Sequence, residues 1–362
     1  MVPPSVWMAV WCLARNLENL VKRSEVIMER HANIIGTGRY VPKNEITNET
    51  FAKWMGEVNP TLAEVVGKFE ASSNIKTRYY AEEDMATSDL AVEAGKAALE
   101  DAGITPDDID MILLGTDTPD YITPATSVIV QEKLGAKNAG TFDIGCACAS
   151  FPTGLSLAAG LIKTNPQINH VLVIGAYMMH KLADYKHDVI SFFYGDGAGA
   201  AVVALSDKPG FISSTFFADG SYYKHWGIYA GGTAEPATVE NVESGKTKVK
   251  LVTPFPAEVN NEGWPKRVRE VAKNGNFKIE DIDFVIFTQV RLNSIKIVME
   301  DLGLPIEKAH WIMDKWGYTG SACLAMAFDD ARKLGKIKSG DLVVFIGSGV
   351  GYNQAGVAYR MP

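Results

Sequence analysis

The sequence predicts a layered α/β fold made of two similar mixed α/β halves, and three observations lead there. Short apolar runs that read as strands alternate with amphipathic helical stretches along most of the chain. Some of these runs, Asn169 to Gly175 and Ala198 to Ala204 among them, lack polar alternation, as strands buried on both faces do. Two stretches also look alike, Ala102-Gly-Ile-Thr-Pro-Asp-Asp-Ile-Asp-Met-Ile and Asn276-Phe-Lys-Ile-Glu-Asp-Ile-Asp-Phe-Val-Ile. Each is an acidic linker after a helix that passes through Asp-Ile-Asp into a strand, a weak internal repeat. The pattern argues against a helical bundle or β-sandwich and puts the join of the halves near residue 205.

Residues 1–30 stand apart. Val2 to Ala14 is apolar with Trp7 and Trp11, and the charges at Arg15, Lys22 and Arg23 follow it, the reverse of a secretory signal. The run is too short to span a bilayer. We read residues 1–30 as an amphipathic N-terminal extension or an upstream start, followed by an N-terminal half over 31–205 and a C-terminal half over 206–362.

Along the first half, Ala32 to Tyr40 predicts a strand, Asn48 to Phe69 a helix-rich stretch and Thr77 to Tyr80 another strand. Thr87-Ser-Asp-Leu-Ala91 supplies an N-cap for an amphipathic helix running to Asp101 and stopped by Gly103. Ile109 to Gly115 is a strand, Ala125 to Leu134 a helix, and Ala139 to Ile144 a strand that leads through small residues into a helical pattern at Leu155 to Ile162. In the second half, helices are expected over Glu258 to Asn274, Ser294 to Leu302 and Gly320 to Leu334. Strands are expected over Ile282 to Thr288, Asp341 to Ile346 and Ala355 to Arg360, the last two around Gly347-Ser-Gly-Val-Gly351.

A net charge of -8 argues against broad electrostatic binding to nucleic acid or anionic membrane. The four cysteines, Cys12, Cys146, Cys148 and Cys323, lack paired metal-ligand spacing, so no metal is expected and a reduced, cytoplasmic setting follows. Cys148 falls on the strand-to-helix turn, where the helix dipole favours the nucleophilic thiolate. Cys146 reads as structural and Cys323 as packed in a small-residue helix. Among histidines, His180, His187 and His225 are candidate general bases or plain packing residues. Tyr194-Gly-Asp-Gly-Ala-Gly199 lacks the Lys-Ser/Thr that a phosphate loop requires.

From Ala32 to Pro362 the residues resemble the thiolase superfamily and, within it, the ketoacyl synthase III branch. The resemblance rests on Ile34-Ile-Gly-Thr-Gly-Arg-Tyr-Val-Pro42, Gly115-Thr-Asp-Thr-Pro-Asp-Tyr121 with Pro124, and Phe142-Asp-Ile-Gly-Cys-Ala-Cys-Ala-Ser-Phe151. It extends to Tyr194-Gly-Asp-Gly-Ala-Gly-Ala-Ala201, Ala218-Asp-Gly-Ser221 and Gly349-Val-Gly-Tyr-Asn353. It implies a thiolase-like layered fold, an acyl-accepting Cys148, and an oxyanion hole formed by the backbone N–H groups of Cys148 and Gly351. It also implies a homodimer that takes acyl-CoA or acyl carrier protein thioesters as substrates, with no cofactor beyond them.

Two positions depart from that pattern. Where decarboxylating members carry a His in a His-Gln-Ala-Asn run, this chain has Thr288 in Thr288-Gln-Val-Arg291; where they carry an Asn, it has Tyr318. A threonine cannot become an imidazolium, and each lost oxyanion donor costs roughly 3–4 kcal/mol. Ordinary malonyl-dependent condensation is therefore disfavoured. The Trp and Arg that clamp coenzyme A in that branch are missing here: Lys68 and Ser72 stand at their positions on an ungapped reading, so those anchors do not carry over.

Asp117 falls where hydroxymethylglutaryl-CoA synthases, within the same superfamily, carry a Glu general base. It is a candidate base for proton abstraction α to a thioester, or else a turn aspartate capping a local N–H. The sequence thus points to an acyltransferase that loads Cys148 and passes the acyl group on by Claisen-type condensation, with Thr288 and Tyr318 orienting the second substrate. Acyl transfer to a hydroxyl or amine is the alternative within enzymes, and a non-catalytic subunit partnering an active thiolase-like protein is the alternative outside them. Tyr121, Phe192 and Phe193 are expected to line the acyl pocket.

Overall fold

β1 (His31–Tyr40) opens the described part of the chain in a computed structural model that describes residues 30–256 and 258–362. The reading of the N-terminal extension thus lies almost wholly outside the described residues. An antiparallel pair, β2 (Asn44–Thr47) and β3 (Thr77–Tyr80), brackets α1 (Asn48–Val58) and α2 (Pro60–Ser73). The break between these helices follows from Asn59, whose side chain caps the second one, and from Pro60 at its first position.

Next come α3 (Thr87–Ala102), β4 (Met111–Gly115), α4 (Thr126–Leu134), β5 (Gly140–Ile144), α5 (Ser150–Thr164), β6 (His170–Tyr177) and β7 (Gly197–Ser206). The strands form a sheet in the order β1-β7-β6-β4-β5, with β4 parallel to both β5 and β6. Thr87 does not cap α3 as its sequence position predicts. Its hydroxyl instead donates to the carbonyl of Thr118 at 2.6 Å, and the Asp89 carboxylate accepts the Ala86 N–H at 2.7 Å.

The remainder supplies β8 (Phe211–Ala218), β9 (Trp226–Gly227), α6 (Val239–Glu243), β10 (Lys250–Leu251) and α7 (Glu258–Gly275). It closes with β11 (Phe284–Phe287), α8 (Leu292–Asp301), α9 (Met313–Trp316), α10 (Cys323–Lys333), β12 (Leu342–Gly349) and β13 (Asn353–Arg360). A second sheet runs β11-β12-β13-β8, with β11 parallel to β12.

The sequence repeat becomes a structural repeat. Both linkers form a short 3-10 turn, with Asp108 accepting the Thr105 N–H at 2.8 Å and Asp281 accepting the Lys278 N–H at 2.9 Å. The following aspartate then ties its strand to a neighbour: Asp110 accepts the His170 N–H at 2.9 Å, and Asp283 accepts the Leu342 N–H at 2.9 Å.

α5 and α10 lie between the two sheets, each touching strands of both. Such a position requires apolar residues all round and small ones where backbones approach. α10 meets this with Ala325, Ala327 and Ala331, all fully buried. Its buried acids, Asp329 and Asp330, are neutralised by Arg39, Lys333 and Lys315, and His310 hydrogen-bonds Asp330. In the Tyr194–Gly199 motif, added Cβ atoms at Gly195, Gly197 and Gly199 would fall 2.2–2.8 Å from Trp316 or Met326. These glycines serve close packing.

Candidate active site

Three parallel strands deliver the site. In register, Gly115 of β4 pairs with Ile144 of β5 and with Gly175 of β6, so all three end at one edge of the sheet. Just past Gly115 and Ile144 come Asp117 and Cys148, and Tyr177 is the last residue of β6. The carboxyl ends of parallel strands are where open α/β sheets place ligands, since the loops there are free of ladder bonds. The second sheet adds Thr288 after β11 and Ser348 to Val350 around the end of β12, again from a parallel pair.

Cys148 is held by its own turn. Ala147 adopts φ 47°, a left-handed conformation costing an alanine about 1–2 kcal/mol, and this turns the chain sharply before the nucleophile. Ser150, which opens α5, accepts the Cys146 N–H at 3.1 Å and donates to the Ile144 carbonyl at 3.0 Å. Gly349 closes the turn from the other sheet: a Cβ there would lie 2.3 Å from the Cys146 carbonyl oxygen and 3.0 Å from the Cys148 nitrogen. Gly349→Ala is expected to push the turn aside, costing about 1–3 kcal/mol and slowing Cys148 alkylation. Thermal denaturation together with thiol-labelling rates checks this.

The Tyr318 hydroxyl contacts the Cys148 sulfur, and both residues are buried. Tyr318 is placed by backbone: its N–H donates to the Phe193 carbonyl at 2.7 Å, and its carbonyl accepts the Gly195 N–H at 2.9 Å. Phe193 is secured in turn by Arg78, whose buried guanidinium donates to the Phe192 carbonyl at 2.8 Å and lies 4.6 Å from the Phe192 ring. Burial lowers Arg78 to about 10.

Two cavities meet at Tyr318. One, of about 190 Å³, is lined by Asp117, Cys148, Tyr177, Met179 and Tyr318, with an apolar wall that includes Ile228 and Val249. The other, of about 120 Å³, contains Thr288, Asn260, Trp264, Arg291, Phe193 and Tyr318. Trp226 and Val350 also border both. Tyr318 is therefore the hydroxyl common to the two.

The electrostatics are set by burial. Burial pushes the Cys148 thiol well above its usual value, and Asp117 and Cys323 push it further, while the Tyr318 hydroxyl pulls it down. The helix-dipole expectation of a ready thiolate is thus outweighed, because a dipole contributes only about 0.3–2 kcal/mol and no cation lines this cavity. Burial likewise raises the Asp117 carboxyl to about 6, against hydrogen bonds from its own backbone N–H and from Ser321. The Ser321 hydroxyl stands 3.3 Å from that carboxylate and 2.7 Å from the Ala176 carbonyl. Cys323 is raised to about 12 by burial.

Of the residues singled out in the sequence, Cys148, Asp117 and Tyr318 share one cavity, and Thr288 joins Tyr318 in the other. The Thr288 hydroxyl accepts the Ser348 N–H at 2.8 Å and keeps its own proton to donate. Gly351, with φ 109°, lines neither cavity; Val350 lines both. Cys146 is half-buried and outside both.

No histidine lines either cavity. His180 stacks on Tyr80 and pairs with Asp196, His187 is exposed beside Asp184, and His225 packs on Phe255 and Tyr222. The expected aromatic lining is corrected in part. Phe193 does line the Thr288 cavity, but Phe192 is packed into the core against Phe51 and Arg78, and Tyr121 lies 62% exposed at the surface. Tyr177 was not singled out, and its signal was position alone, at the end of a buried strand.

This geometry defines a thiolase-like enzyme, with a cysteine on a strand-to-helix turn between two matching sheets. The profile of 3-oxoacyl-[acyl-carrier-protein] synthase III matches residues 142–220, and that of its C-terminal part matches residues 272–361. Beta-ketoacyl-[acyl-carrier-protein] synthase III of Caldanaerobacter subterraneus subsp. tengcongensis is 37% identical over 329 residues, covering 90% of this chain and 96% of that protein. The crystal structure of 3-oxoacyl-[acyl-carrier-protein] synthase III from Aquifex aeolicus VF5 superposes with a TM-score of 0.78 at 29% identity, covering 91% of this chain and 99% of that one. The priming β-ketosynthase of the R1128 polyketide pathway superposes with a TM-score of 0.79 at 28% identity, covering 92% and 97%. The chain belongs to the 3-oxoacyl-[acyl-carrier-protein] synthase III family and is an acyltransferase.

Proposed function

We propose that the protein loads an acyl group from an acyl-CoA or acyl carrier protein thioester onto Cys148 and transfers it to a second thioester by Claisen-type condensation. The observation that carries this reading is the grouping of Asp117, Cys148 and Tyr318 around one cavity, with the Tyr318 hydroxyl on the sulfur. In the first half, Asp117 takes the thiol proton as Cys148 attacks the donor carbonyl, and the departing thiolate recovers that proton. The Tyr318 hydroxyl steadies the sulfur's charge, and the backbone N–H of Cys148 receives the oxyanion.

In the second half, Asp117 removes a proton α to the acceptor's thioester carbonyl, and the resulting carbanion attacks the acyl carbon. A carbon–carbon bond forms, the carbon–sulfur bond to Cys148 breaks, and the Asp117 proton returns to the sulfur. A carboxyl raised to about 6 is well matched to this work at neutral pH, because it is ionised yet more basic than a free aspartate. The Thr288 cavity takes the phosphopantetheine arm of either carrier, with Thr288 and Tyr318 orienting it and the exposed Arg291 as the cation on its wall.

The test is discharge of preformed acyl-enzyme by separate acceptors. Discharge by acetyl-CoA supports the reading. Discharge only by alcohols or amines would replace it with simple acyl transfer, and malonyl-CoA acting at ordinary synthase rates would contradict the roles given to Thr288 and Tyr318.

The same proposal includes a homodimer. Among the described residues β5 is the edge strand of its sheet, with Phe142 37% exposed, and Ile122 and Tyr121 in the Asp117 loop stand 82% and 62% exposed. Open edges with apolar side chains call for a partner. Phe142→Asp is expected to shift the protein from dimer to monomer in sedimentation velocity; an unchanged dimer would place the interface elsewhere.

A further inference from the structure

Tyr177 is the one polar group of the Cys148 cavity whose part is unassigned. It is only 3% exposed, and its hydroxyl makes no hydrogen bond to any described residue. That hydroxyl keeps contact with the open space of the Cys148 cavity, where a substrate atom can meet it. The ring is fixed in place by Gly320, whose φ of 45° and missing side chain admit it; a Cβ there would fall 2.2 Å from the ring. Its centroid lies 6.2 Å from that of Tyr318 and 6.4 Å from that of Tyr194. Burial, and then the charge of Asp117, raise its pKa well above the usual value, so the phenol keeps its proton and acts as a donor.

Strand order gives this donor a direction. β4 runs between β5 and β6, so Asp117 stands between the Cys148 loop and Tyr177, with neighbouring strands about 4.8 Å apart. A substrate whose α-carbon lies over Asp117 therefore has the electrophile on one side and Tyr177 on the other. We propose that the Tyr177 hydroxyl donates to the acceptor's thioester carbonyl oxygen and stabilises the enolate that forms when Asp117 removes the α-proton. Thr288 is unsuited to that position because it lines the other cavity. The proton balance is unchanged: Tyr177 lends a hydrogen bond and keeps its proton, and the α-proton goes to Asp117.

This inference rests on the condensation reading, and the test separates the two. Wild-type protein and Tyr177→Phe are each given acetyl-CoA in heavy water. Acyl adduct on Cys148 is followed by intact mass, and deuterium entering the acetyl methyl group by mass spectrometry of the recovered acetyl-CoA. Phenylalanine keeps the ring in its Gly320 notch, and matching thermal midpoints confirm the fold. The expected result is an adduct in both proteins, with α-hydrogen exchange about 100-fold slower in Tyr177→Phe, the typical effect of one oxyanion donor. Equal exchange rates in the two proteins would overturn the inference, as would a wild-type protein that acylates Cys148 without exchanging. A wild-type protein that forms no adduct overturns the underlying reading instead.

Discussion

Replacing Cys148 with serine is expected to remove turnover by four orders of magnitude or more, on the order of losing any group that bears the covalent intermediate. The size follows from the surroundings. Asp117, raised to about 6, is the carboxylate that lines this cavity and no imidazole joins it, so an alkoxide, far more basic than a thiolate, has no adequate proton acceptor. The fold is expected to survive, because serine is smaller and can still meet the Tyr318 hydroxyl. Cys146→Ala makes the contrast, since Cys146 lines neither cavity and its replacement is expected to leave acylation intact. Assays of turnover beside thermal midpoints check both; a Cys148→Ser enzyme within tenfold of wild type would contradict the mechanism.

Asp117→Asn is expected to lose activity and gain stability together. As a general base the carboxylate contributes about 10²–10⁴-fold, and the wild-type rate rises with pH through about 6 as the group ionises. Asparagine removes both that factor and that rising limb. Stability moves the other way. The folded carboxyl titrates near 6, above the value near 3.8 of an ordinary aspartate. Between those pH values the folded protein holds a proton that the unfolded chain has released, so stability falls as pH climbs from about 4 to 6 and stays lowered above it. At pH 7 the asparagine variant avoids that cost and should be more stable by about 1–2 kcal/mol, allowing for the surface Asp117 shows to the cavity. Denaturant unfolding at pH 4 and pH 7 measures the difference; a variant less stable at pH 7 than wild type would contradict a desolvated, ionised Asp117.

Much of the architecture was legible because the signals were local. Gly103, the Asp-Ile-Asp linkers and the unalternating runs at β6 and β7 each carry their own physical cause, and the structure places helix ends, turns and buried strands there. The cap of α3 was misplaced because Thr87 finds a partner 31 residues away at Thr118, a contact that local pattern does not contain. β8 was missed because two of its outward residues, Phe216 and Phe217, are consecutive and exposed, which breaks the alternation expected of an edge strand. At the site, Cys148 was marked by its turn, and Thr288, Tyr318 and Asp117 by family resemblance. Tyr177 was not, for a specific reason. β6 was expected to stop at Gly175, two residues short, and only the strand order brings its end beside those of β4 and β5.

The central claim is that Cys148 carries the acyl group, and peptide mapping of protein quenched during reaction with acyl-CoA or acyl carrier protein thioesters tests it most directly. The account predicts one acyl mass increment, on the peptide containing Cys148, lost in Cys148→Ser and retained in Cys146→Ala. No increment with any thioester, or an increment on Cys146 or Cys323 instead, would contradict it.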